Sequence, residues 1–174
     1  MNSRTLTGSL LIIGPILAIM GFIGWAIVVG TDISPDDTQA TIKAFGENVV
    51  GVKMVVLLFT LGSIAVVGGI RGIRNSMDGG SGFEIAGFGF FIMVIALAGN
   101  LAETAFVMGT AEASSKMAQA AAAGSAESAA SAGAVAASLY SASQAIGAVT
   151  TALLFLGFGI IGYGVYMQKN FNAI

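Results

Sequence analysis

Four side chains have the chemical types and the spacing to act together: Lys53, Asn100, Glu103 and Gln144. Each interrupts an otherwise apolar stretch. Glu103 lies about five residues from one end of a long apolar segment, and Lys53 about five from the end of another that runs the opposite way. At ~1.5 Å of helical rise per residue the two come to nearly equal depth. Gln144 enters a further segment at a comparable level, and Asn100 sits one turn from Glu103. A carboxylate and an ammonium so placed can neutralise one another as a structural ion pair that fixes helix register, with the amides supplying hydrogen bonds. An unpaired charge there is costly. Alternatively, the carboxylate can handle a proton or cation on a polar path lined by Glu103 and Lys53. The ion pair is the expectation, because Glu103 falls near one edge of its segment.

Composition closes most other chemistry. Cysteine and histidine are both absent. That removes disulfides, thiolate and imidazole metal ligands, and the usual axial ligand of membrane haem. One glutamate with amides does not make a transition-metal site, and no nucleophile can be matched with a base. No catalytic residue, metal or cofactor is therefore expected. Gly157, Gly159 and Gly162 spell G-x-G-x-x-G. With no strand before it and no helix opening at it, this is not a dinucleotide fingerprint. Together with Gly164, and with the pair Gly68 and Gly72, it reads as glycine-lined helix faces made for close packing.

The elements that must hold these residues are apolar and long. The chain has 174 residues, 56% of them hydrophobic and only 9% charged, against about 25% charged in soluble domains. The cleanest stretch, residues 49–70, is free of charge from Met54 to Ile70 and is followed by Arg71 and Arg74. Its length suffices to cross a hydrocarbon core, which needs ~20 residues. Three more such segments are read at about 8–30, 83–108 and 139–167. The first exceeds the apolar core of a secretory signal and is read as a retained span, with Pro15 in its first half and Trp25 as an interfacial anchor. The fold class expected is an all-α integral membrane protein, one domain over residues 1–174, with four transmembrane helices in two hairpins.

Between the spans, Ser34-Pro35-Asp36-Asp37 has the form of a helix start. A short amphipathic helix from Pro35 to about Phe45 would put Thr38, Ile42 and Phe45 on one face. Residues 71–82 read as a polar turn, flexible at Gly79-Gly80-Ser81-Gly82. Residues 109–138 are rich in Ala and Ser. Alanine is the best helix former, so this stretch is predicted to lengthen the third and fourth helices and to turn near Gly124-Ser125.

Arg4, Arg71, Arg74 and Lys169 fall on one side of a four-span chain, and the positive-inside rule makes that side cytoplasmic. Both termini are then inside a cell membrane, and segments 31–48 and 109–138 are extracytoplasmic. A net charge of −2 with scattered basic residues argues against a nucleic-acid partner. Thiol oxidoreductases of this size need cysteine pairs and four-helix cytochromes need histidine. Rotary-ATPase proteolipids are similar in their Gly- and Ala-rich hairpins, but they carry a mid-span carboxylate, which Glu103 on this reading is not. The expected role is a non-enzymatic accessory subunit that packs through glycine faces, among membrane lipids, against larger integral subunits of a respiratory or monooxygenase assembly. A small transporter or channel using Glu103 and Lys53 is the alternative, and a self-associating scaffold a third.

Overall fold

The computed structural model describes residues 3–31, 33 and 37–168. It is all-helical: α1 (Ser3–Val29), α2 (Thr38–Glu47), α3 (Val49–Ser76), α4 (Phe83–Ala122) and α5 (Ala126–Met167). Four of these, all but α2, are long and apolar enough to cross a membrane. The 40 and 42 residues of α4 and α5 give each a length of ~60 Å, about twice the hydrocarbon thickness. The Ala/Ser-rich stretch is thus helical on both sides of a turn at Gly124, as its alanine content predicts.

The turn between them falls where expected. Gly124 adopts a positive φ of 75°. Ser125 N donates to Ala120 O and Gly124 N to Ala121 O, both at 3.0 Å, which is the paired bonding of a Schellman ending. Ser125 then opens α5, its hydroxyl 2.8 Å from that of Ser128.

The chain packs as two units. Residues 1–17, 61–100 and 147–174 form one, and residues 18–60 and 101–146 the other. In the first unit α1 lies on α3 with almost no side chain between them. A Cβ at Gly14 would stand 2.9 Å from Val66 N and 3.0 Å from Gly62 O, and one at Gly69 would meet Leu11. The buried cluster here is Val67, Ile70, Met93 and Ile161.

In the second unit the centre is Phe45 of α2, with none of its surface exposed. Trp25 meets its ring edge-on at 5.2 Å and Tyr140 at 6.0 Å. Val52, Val56, Val107 and Ala111 close the cluster. Trp25 is thus a half-buried packing residue rather than a free anchor. The start of α2 also differs from expectation. Asp37 is its N-cap, with Ala40 N donating to the Asp37 carboxylate at 2.9 Å. That later start rotates the buried face to Thr41, Ile42, Ala44 and Phe45 and leaves Thr38 exposed. Ser34, Pro35 and Asp36 lie outside the described residues.

Two other boundaries move. α3 continues six residues past Ile70 to Ser76, which puts Arg71 and Arg74 in its last turns, where cations favour the helix dipole. From Lys53 to Arg71 is ~27 Å of helix, close to the thickness of a hydrocarbon core. The turn after α3, expected to be flexible, is tied down. Ser81 Oγ donates to Met167 O at 2.7 Å, Gly82 N donates to Gln168 Oε1 at 3.4 Å, and Met77 is wholly buried. Gly82 is needed because its backbone abuts that of Gly164, leaving no room for a side chain. The helix passes through Pro15 without a break.

Candidate functional site

Lys53 does not meet Glu103. Its Nζ donates to Glu112 Oε1 at 2.6 Å, and each side chain keeps a third to a half of its surface exposed. Glu103 has no cationic partner among the described residues. The error in the expected pairing was one of depth. Counting inward from the end of the apolar stretch at Met108 put Glu103 level with Lys53, whereas the residue level with Lys53 is Glu112, four residues past Met108. Glu112 is nine residues beyond Glu103, or two and a half helical turns, so the two carboxylates leave α4 on opposite sides.

A second contact fixes the true level of Glu103. The hydroxyls of Thr60 on α3 and Thr104 on α4 are 2.9 Å apart and hydrogen-bonded. Thr60 lies inside the charge-free stretch of α3, ~10 Å along the helix from Lys53. Glu103, next to Thr104, therefore lies opposite the charge-free stretch of α3 rather than level with Lys53.

The remaining members of the expected cluster do not join it. Gln144 is exposed on α5. Asn100 Oδ1 is buried with no hydrogen-bond partner, so it does not support an ion pair. No group of three His, Cys, Asp or Glu side chains that could hold a metal occurs among the described residues. The chain matches no known protein-family model, no curated protein and no solved structure.

The glycine faces divide into two kinds. A Cβ at Gly157 would stand 3.1 Å from Gly89 O, and one at Gly164 would stand 3.0 Å from Ala86 N. With Ile161 and Gln168 these make one buried stripe of α5 at helical spacing, in direct backbone contact with α4. Gly159 and Gly162 have nothing within 4 Å of a Cβ and belong to the exposed side. The G-x-G-x-x-G run is thus one inward and two outward glycines. On α3, Gly72 is pressed against the Thr7 side chain, while Gly68 faces only the Leu10 methyl at 3.2 Å.

Among the described residues the arginines form no ion pair. The only ion pairs among the described residues are Lys43–Glu47 and Lys53–Glu112. Arg4 and Arg71 are exposed. The Arg74 guanidinium lies 4.0 Å over the Phe83 ring, with its Nε buried and unpartnered. Lys169 lies outside the described residues.

Sequence reasoning missed Glu112 and Thr60 as contact residues. Only an α4 continuing past its apolar part brings Glu112 level with Lys53. Gly157, Gly159, Gly162 and Gly164 read from the sequence as one face, whereas only Gly157 and Gly164 lie on the packed side.

Proposed function

We propose that the chain is a non-catalytic accessory subunit of a larger integral membrane assembly, of the kind found around respiratory or monooxygenase complexes. It crosses the cell membrane four times as two hairpins, with both termini cytoplasmic and segments 31–48 and 109–138 outside. The observation that carries this reading is the exposed side of α5. Gly159 and Gly162 are open there, flanked by exposed Phe155 and Tyr163. Small residues between large apolar ones are what another membrane helix needs for close approach. The chain's own packing uses the opposite stripe, so this one is free for a partner.

The test is mild solubilisation followed by identification of what co-purifies. Large integral subunits should accompany the wild type and be lost with Gly159→Leu or Gly162→Leu, while the isolated chain keeps its thermal stability. Recovery of the wild type alone, or only as a homo-oligomer, overturns the subunit reading.

A second reading is favoured by one contact. The Thr60–Thr104 bond sets Glu103 opposite the charge-free stretch of α3, with no ion pair to it among the described residues. An ionisable group there marks a candidate proton or cation path. In liposomes, Glu103→Gln should then abolish a pH-dependent flux with little change in stability. No flux from the wild type removes this reading.

A further inference from the structure

We infer that the arginine-bearing end of the chain holds one anionic phospholipid in a cleft between α1 and α3. The cleft encloses about 610 Å³. Its polar rim is Arg4 and Ser3 from α1 and Asn75 and Ser76 from α3, and its apolar lining is Ile73 and Val165. The inference needs only a membrane-embedded chain and does not depend on the subunit reading.

Three observations define the occupant. First, the rim holds a cation that no carboxylate neutralises among the described residues, since Arg4 forms no ion pair. An arginine is a strong bidentate partner for a phosphate. Asn75 Oδ1 accepts from Arg74 Nη1 at 3.5 Å, which leaves the Asn75 amide hydrogens to donate elsewhere. Second, no Asp or Glu among the described residues lines the cleft. Nothing there would receive the ammonium of a choline or ethanolamine headgroup, so a net-negative headgroup is selected. Third, the apolar Ile73 and Val165 line the same cleft as the polar groups, and α1 continues with Ile12 and Ile16 exposed. A soluble phosphate has no use for that surface, whereas acyl chains do.

The glycine pattern supplies a clean probe. Gly8 lines the cleft, and nothing lies within 4 Å of where its Cβ would stand. A large side chain at this position fills the cleft without disturbing the packing of α1. Gly72, by contrast, is already closed by Thr7.

The experiment uses the full chain in mixed micelles of phosphatidylglycerol and phosphatidylcholine, with retained lipid counted by native mass spectrometry. The wild type should retain one phosphatidylglycerol in preference to phosphatidylcholine. Arg4→Gln should weaken that retention about fivefold, the effect of one arginine at an anionic lipid surface. Gly8→Phe should abolish it at unchanged melting temperature, while Arg71→Gln, outside the cleft, should change it less than Arg4→Gln. Equal losses from Arg4→Gln and Arg71→Gln would show a diffuse basic surface and overturn the cleft. Displacement of the lipid by glycerol phosphate or inorganic phosphate at equal concentration would reassign the site to a soluble anion and overturn the lipid. Retention unaffected by Gly8→Phe would also overturn it.

Discussion

Lys53 of α3 and Glu112 of α4 meet at 2.6 Å, and Glu103, a carboxylate of the same type on the same helix, forms no ion pair with Lys53. A double-mutant cycle on thermal stability in detergent should therefore find coupling between Lys53→Met and Glu112→Gln. The same cycle with Glu103→Gln should find none. Because both partners are half-exposed, the coupling should shrink in high salt. Coupling of Lys53 to Glu103 would mean that α3 and α4 are set in a different register.

The glycines should separate by direction. Gly157→Leu or Gly164→Leu drives a side chain into backbone and should cost at least the ~1–3 kcal/mol typical of overpacking. Gly159→Leu and Gly162→Leu should leave the melting temperature of the isolated chain within a degree or two of wild type, as ~0.5 kcal/mol surface changes do. Gly68→Leu should fall between, since only the end of the Leu10 side chain must move. Equal losses at all these positions would contradict the division into inner and outer faces.

Phe45 should be the most sensitive position in its unit. Phe45→Ala removes the ring between Trp25 and Tyr140 and should cost ~3–5 kcal/mol. Loss of α2 docking should shift Trp25 fluorescence toward that of exposed indole. An unchanged spectrum with full stability would show that α2 does not hold this core together.

Membrane sidedness can be read directly, because the chain has no cysteine of its own. Single cysteines at Ser76 and Ser128 should react with an impermeant thiol reagent from opposite sides of sealed vesicles, with Ser76→Cys protected in intact cells. Labelling of both from one side would rule out the four-span arrangement.

The four long helices were legible in the sequence because each carries an uninterrupted apolar run, and the turn at Gly124-Ser125 because glycine breaks an alanine tract there. Contacts between helices were not. The helical extension past Met108 was anticipated from its alanines, but Lys53 was paired with Glu103 rather than Glu112 because the ends of apolar spans do not fix how far α3 and α4 are shifted along one another. The division of the α5 glycines depends on which side of the helix meets α4, a rotation that an almost uniformly apolar sequence does not encode. The rim of the basic cleft was half visible. Arg4 was singled out for its charge, but its nearness to Asn75 and Ser76 appears only once α1 lies on the end of α3.

The ~27 Å between Lys53 and Arg71 has a consequence for where the chain can reside. Charges near both ends of one helix act as a gauge of bilayer thickness. A hydrocarbon layer of that depth accepts α3 upright, whereas a thicker one must thin around it at a cost of fractions of a kcal/mol per Å. α4 and α5, whose Ala/Ser-rich ends are helical well past the apolar zone, impose no matching limit. Partition between membranes of different thickness therefore depends on α3 more than on α4 or α5, and moving either charge by one turn should redirect it.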